Sequence, residues 1–96
     1  MKIYTNNENG MLTISLEGRL DTATLPELEV LLKEKMDDAD AIIFDFEKLE
    51  YISSAGLRVL LFAQKKMKNS MKLINVCELV MEVFELTGFV DILIIE

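Results

Sequence analysis

Apolar and polar residues alternate from Met11 to Glu17, with Leu12, Ile14 and Leu16 set against Thr13, Ser15 and Glu17, which predicts a strand with one buried face. Lys2 to Thr5 can pair with it as the other arm of a hairpin, through the turn at Asn9-Gly10. Thr24-Leu25-Pro26-Glu27 reads as a helix start, with Thr24 as the cap, Glu27 reaching back to it and Pro26 in the first turn. Leu25, Leu28, Leu32 and Met36 then share one helical face with Leu31 beside them, and the helix should stop near Asp37-Asp38.

Ala41 to Phe46 is nearly continuous apolar sequence, as expected of an interior strand covered on both faces, and a charged turn at Glu47-Lys48 follows it. Ala55 to Asn69 predicts a second helix whose late cations, Lys65, Lys66 and Lys68, suit the negative end of its dipole. Leu73 to Val76 predicts a short strand. Glu78 to Thr87 predicts a third helix, with Val80, Val83, Phe84 and Thr87 on one face, Glu78, Glu82 and Glu85 on the other, and Gly88 at its end. Ile92 to Ile95 predicts a last strand. The order β-β-α-β-α-β-α-β implies an α/β fold: a mixed, mostly parallel sheet of about five strands with three main helices. With 96 residues and no linker or repeat, residues 1–96 are expected to form one domain.

Charge and composition narrow the function. Seventeen acidic against ten basic residues leave a net charge of −7, which repels a phosphate backbone, so no nucleic acid partner is expected. The chain has no histidine, which removes every Ser-His or Cys-His nucleophile, and no Gly-rich phosphate-binding pattern is present, so no enzyme is expected. A receiver domain phosphorylated on Asp45 would need paired acids after the first strand, and these are missing. Cys77 is the only cysteine, so neither an intramolecular disulfide nor a clustered-cysteine metal site is expected, and no cofactor is implied. Apolar runs such as Ile92 to Ile95 fall far below the roughly 20 residues that cross a bilayer. The start of the chain lacks the order of a secretory signal, and the expected location is cytoplasmic, without membrane insertion.

Candidate chemistry concentrates in Asp45-Phe46-Glu47-Lys48-Leu49-Glu50-Tyr51-Ile52-Ser53-Ser54-Ala55-Gly56-Leu57-Arg58-Val59-Leu60-Leu61, where a strand passes through a short loop into a helix opened by two serines. From the residues alone, Ser53 or Ser54 reads as a helix cap, worth about 0.5–2 kcal/mol. At 100° per residue, Ser54, Arg58, Leu61, Phe62 and Lys65 project to one side, and Gly56, Val59, Leu60, Ala63 and Met67 to the other. The second set suits a core. The first joins two cations to two apolar side chains, a composition that suits a partner surface. Gly56 in the first turn points to a close approach, either of the sheet beneath or of a partner. Asp21 can cap the loop into the first helix.

This segment resembles the STAS family, named for sulfate transporters and anti-sigma factor antagonists, in its strand ending, Ser-rich turn, Gly-Leu pair and apolar helix. Glu17-Gly18-Arg19-Leu20-Asp21 is similar to the family's Gly-x-Leu-Asp turn, and Val83-Phe84-Glu85-Leu86-Thr87-Gly88-Phe89 to its last-helix signature. The resemblance implies the STAS fold over nearly the whole chain and the role of a stand-alone bacterial anti-sigma factor antagonist. Such a protein binds an anti-sigma factor that is also a serine kinase, so that a sigma factor is released and transcription changes. Phosphorylation switches the binding off and a serine phosphatase restores it. Alignment on Gly56-Leu57 puts the phosphorylated serine at Ser54, with Ser53, where relatives usually carry Asp, as second choice. The implied partner surface comprises Asp21, Ser53, Ser54, Gly56, Arg58, Leu61, Phe62 and Lys65, with Asp21 near the phosphosite and read by the kinase. The alternative is a non-catalytic STAS subunit of a lipid-transport ATPase or a stress-signalling shell, using the same surface for constitutive contacts.

Overall fold

A computed structural model describes all residues, 1–96. Strands β1 (Lys2–Glu8) and β2 (Met11–Leu20) form the expected hairpin. Asn9 and Gly10 both take positive φ, 53° and 86°, the geometry in which a two-residue turn matches the twist of its strands. Helix α1 (Leu25–Lys35) tightens into a 3-10 turn at Met36–Asp38, and β3 (Ala41–Ile52) follows. Then come α2 (Ser54–Met67), β4 (Met71–Ile74) and α3 (Glu78–Thr87). The sheet order is β1-β2-β3-β4, with β1 antiparallel to β2 and the β2–β3 and β3–β4 pairs parallel. Strands laid down in sequence order by crossovers of one hand put their helices on one side of the sheet.

That one-sidedness explains the core. Leu12, Ile14 and Leu16 of β2, Ile42, Phe44 and Phe46 of β3, and Met71 and Leu73 of β4 are buried together with Leu28 and Leu32 of α1, Leu57 and Leu60 of α2, and Val80 and Phe84 of α3, in one continuous cluster. The opposite face of the sheet carries Tyr4, Thr13, Ser15, Glu17, Asp45 and Lys72 and has no helix over it. On α2 the buried residues are Gly56, Leu57, Leu60, Ala63 and Gln64, with Val59 and Met67 at the edge of the packing.

Four sequence expectations need correction. β3 is not covered on both faces: Ile42, Phe44 and Phe46 are buried while Ala41, Ile43 and Asp45 are only half-buried, because all helices lie on one side. Glu47-Lys48 does not end that strand. It forms a bulge opposite Ser15–Glu17, which takes up one extra residue and lets β3 continue to Ile52. The fifth strand shrinks to a bridge. After α3 the chain winds through a 3-10 turn at Phe89–Asp91, leaving only its last residues to meet β4, through Leu73 N to Ile94 O and Glu96 N to Leu73 O, both 2.9 Å. The sheet therefore has four strands where about five were expected. Thr24 stands at the cap position of α1 without capping it, because its hydroxyl turns back to the Arg19 carbonyl, while Asp21 binds the amides of the turn before the helix.

Candidate functional site

β2 and β3 are parallel, so their C-terminal ends lie side by side, Leu20 against Ile52, and each strand turns there into a helix. The Ser53 amide donates to the Leu20 carbonyl at 2.9 Å, which ties the two turns together. Gly56 makes their close approach possible. A Cβ at that position would lie 2.9 Å from Ile52 Cγ1 and 3.1 Å from Leu20 Cγ, inside van der Waals contact. α2 thus rests directly on the last residues of both strands, and Gly56 lies beneath the proposed partner face, out of reach of its surface. Of the two explanations for this glycine, packing on its own sheet accounts for it.

In the first turn, Asp21 Oδ1 accepts from the amides of Ala23 and Thr24 at 3.1 and 3.2 Å. The Asp21 amide in turn donates to Thr24 Oγ1 at 3.0 Å, and that hydroxyl sits 2.7 Å from the Arg19 carbonyl. Arg19 Nε lies 3.8 Å from Asp21 Oδ2, and its guanidinium stacks 4.2 Å from the centre of the Tyr51 ring. Desolvation raises the Asp21 pKa, but the Thr24 amide and hydroxyl, the Ala23 amide and the Arg19 charge together outweigh it and hold the carboxyl below its ordinary value. Asp21 is therefore an ionised, fully engaged turn residue.

The second turn divides its two serines between two tasks. Ser53 is in extended conformation, φ −93° and ψ 171°, and its Oγ accepts from the Gly56 amide at 3.3 Å, so it is the cap of α2. Ser54 opens the helix itself, is exposed, and its hydroxyl makes no hydrogen bond within the protein. Arg58 and Lys65 follow on the same side, both exposed, with Phe62 between them at 57% exposure and Leu61 half-buried at the flank. Ser53, Ser54, Arg58, Leu61, Phe62 and Lys65 thus follow one another along α2, and the Leu20–Ser53 hydrogen bond sets the Asp21 turn against the start of that helix.

Sequence reasoning missed the contribution of α1. Glu29, Leu32 and Lys33 meet Arg58, Val59 and Phe62 across a groove of about 250 Å³ between α1 and α2. Leu32 was legible as a core residue, but its place on the groove floor depends on the side-by-side packing of two helices separated in sequence by the whole of β3. A separate depression on the helix-free face of the sheet is lined by Tyr4, Glu17, Asp45, Glu47 and Lys48, with Glu17 shared between Lys2 and Lys48 at 3.9 and 3.7 Å. Cys77 precedes α3 and directs its Sγ to the Leu49 carbonyl at 3.5 Å, a packing role on the far side of the bulge. No helix is long and apolar enough to cross a membrane.

The family model for the STAS domain, an α/β domain, matches residues 2–96 of this one-sided mixed sheet and its helices. The chain belongs to the STAS domain family. BtrV of Bordetella bronchiseptica, described as a candidate anti-sigma factor antagonist, is 38% identical over 96 residues, covering 96% of this chain and 83% of that protein. The anti-sigma-B factor antagonist of Staphylococcus aureus is 28% identical, covering 97% of this chain and 90% of that protein. Among solved structures, the anti-sigma factor antagonist SpoIIAA in its unphosphorylated form superimposes with a TM-score of 0.83 at 19% identity, over 99% of this chain and 88% of its own. An anti-sigma factor antagonist from Mycobacterium paratuberculosis gives 0.86 at 21% identity, over 98% and 83%. At those identities the structures establish the shared fold.

Proposed function

We propose that this chain is an anti-sigma factor antagonist of the cytoplasm whose α2 face, with the Asp21 turn at its edge, binds an anti-sigma factor that is also a serine kinase. Binding releases a sigma factor; phosphorylation of Ser54 ends the binding and a serine phosphatase restores it. The observation that carries this reading is the division of labour at the start of α2: Ser53 is engaged as the cap, while Ser54 is exposed, unbonded and one turn from Arg58. The relatives named as anti-sigma factor antagonists support the role.

The physical chemistry of the switch follows from position. The first amides of a helix have no intrahelical partners and its dipole is positive there, so a group carrying roughly −1.5 to −2 charges is tolerated by the fold. The domain stays intact and the effect falls on the partner. A phosphate on the same helix face as Leu61 and Phe62 must be stripped of water or excluded when that face is covered. A loss of only about 1.4 kcal/mol already weakens binding tenfold.

The test is incubation with the cognate anti-sigma kinase and ATP, with the phosphate mapped by mass spectrometry in the native chain, Ser54→Ala and Ser53→Ala. Phosphate on Ser54, lost only in Ser54→Ala, is the expected result. Modification of neither serine would overturn the switch and favour constitutive contacts within a larger STAS assembly.

A further inference from the structure

Two helices of this molecule, α2 and α3, expose apolar side chains flanked by charges of a single sign, and the two signs are opposite. α2 contains Arg58, Lys65 and Lys66 and no acid, and its outward face is centred on Phe62. α3 contains Glu78, Glu82 and Glu85 and no cation, and its outward face carries Leu79 at 54% and Leu86 at 80% exposure. Leu79 and Leu86 lie two turns apart on one line of the helix, with Glu82 between them. The buried side of α3, Val80 and Phe84, points the other way into the core. Leu86 is the most exposed large apolar residue in the chain, and its burial in a partner interface would contribute where its present position contributes nothing.

The charges on these two faces have no partners within the molecule. Lys66 is held by Asp37, but Arg58, Lys65, Glu78, Glu82 and Glu85 are absent from every intramolecular ion pair. An apolar helix face flanked by unpaired acids fits an apolar helix face flanked by unpaired cations, and the second such face is available on another copy of the same chain. We propose that the protein self-associates head to tail, with α2 of one copy packed on α3 of the next.

The contact joins two different patches, so each copy keeps one free donor face and one free acceptor face, and association extends by further copies unless the rotation closes a ring. A single helix-on-helix contact is smaller than the 1,200–2,000 Å² typical of stable interfaces, so the association should be weak and visible only at high protein concentration. Because α2 is also the face assigned to the anti-sigma factor, self-association and partner binding would exclude one another. The self-association can be tested without that partner.

Sedimentation velocity of the native chain up to about 1 mM, a range set by the expected weakness of the contact, should show a weight-average mass that rises with concentration. Phe62→Glu removes the centre of the α2 face and Leu86→Lys the centre of the α3 face. Each alone should weaken association by about tenfold or more, as loss of a central apolar anchor does. Mixed in equal amounts the two variants should recover a complex of two chains and no larger, because Phe62→Glu retains an intact α3 face and Leu86→Lys an intact α2 face. Both positions are exposed, and far-UV circular dichroism checks that each variant is folded. The uncharged replacements Phe62→Ser and Leu86→Ser, used in the same mixing scheme, replace any variant that is not. A native chain that stays monomeric throughout, or a mixture that fails to associate, overturns the proposal.

Discussion

The two turns at the ends of β2 and β3 are built from the same short polar residue types and stand next to each other, yet they are left in opposite states. Around Asp21 every strong acceptor is engaged: the carboxylate takes two amides and faces Arg19, and the Thr24 hydroxyl bridges back to the Arg19 carbonyl. Around Ser53 and Ser54 only the first hydroxyl is engaged, and the second points into solvent. A saturated turn has little left to offer a partner and serves chiefly to hold shape. A turn with one unbonded nucleophilic hydroxyl on a fixed backbone has something to give, and the saturated neighbour is what fixes that backbone.

The largest effect should come from breaking the contact that both turns share. Gly56→Val forces a branched side chain against Ile52 and Leu20, and should destabilise the fold by about 3 kcal/mol in urea denaturation. Next is the cap. Ser53→Ala should cost about 1 kcal/mol in thermal or urea unfolding, whereas Ser54→Ala should stay within about 0.5 kcal/mol of the native chain while abolishing phosphorylation. Equal losses from the two serines would sink the division of labour between them.

A smaller effect belongs to Asp21 and depends on pH. Its folded-state pKa is depressed, so the stability it contributes is fully present above the ordinary carboxyl value of 3.8 and is lost as pH falls below that value through the lowered one. Asp21→Asn should therefore narrow the difference in urea midpoint between pH 6 and pH 2 compared with the native chain, and an unchanged acid limb would show that the carboxylate is not engaged in solution. The smallest expected change in stability is that of Leu86→Lys, within about 0.5 kcal/mol, because the side chain is already in water.

Much of this was legible in the sequence, and the failures share a cause. The hairpin turn, three helices and the serine turn follow from local periodicity and from residues with narrow backbone preferences, which act within a few positions of themselves. The bulge at Glu47-Lys48 looked like a turn because local sequence cannot show that β2 runs alongside and keeps the strand extended. Thr24 leaves α1 uncapped because its hydroxyl is drawn back to the Arg19 carbonyl and the Asp21 amide, an arrangement set by the backbone of the turn rather than by the cap signature. Ile92 to Ile95 has the composition of a strand, but how much of it pairs is set by where the 3-10 turn after Gly88 releases the chain. The α2 face was found from helical periodicity, whereas the groove beside it needed α1, and the exposure of Leu79 and Leu86 was missed because α3 was read as one apolar and one acidic face, with neither leucine placed on either.

The hydrogen bond from Ser53 to Leu20 also has a consequence for the order of folding. The β1–β2 hairpin closes through neighbours, but the Ser53–Leu20 link joins residues separated by the whole of α1 and β3, and contacts of such sequence separation form late because a long loop must first be closed. Until they form, Ser54 is one hydroxyl on a flexible chain, with no fixed Arg58 or Phe62 beside it. An enzyme that recognises the turn in its assembled shape would act on finished molecules and pass over nascent or damaged ones, so that modification of Ser54 would double as a record that the fold had been completed.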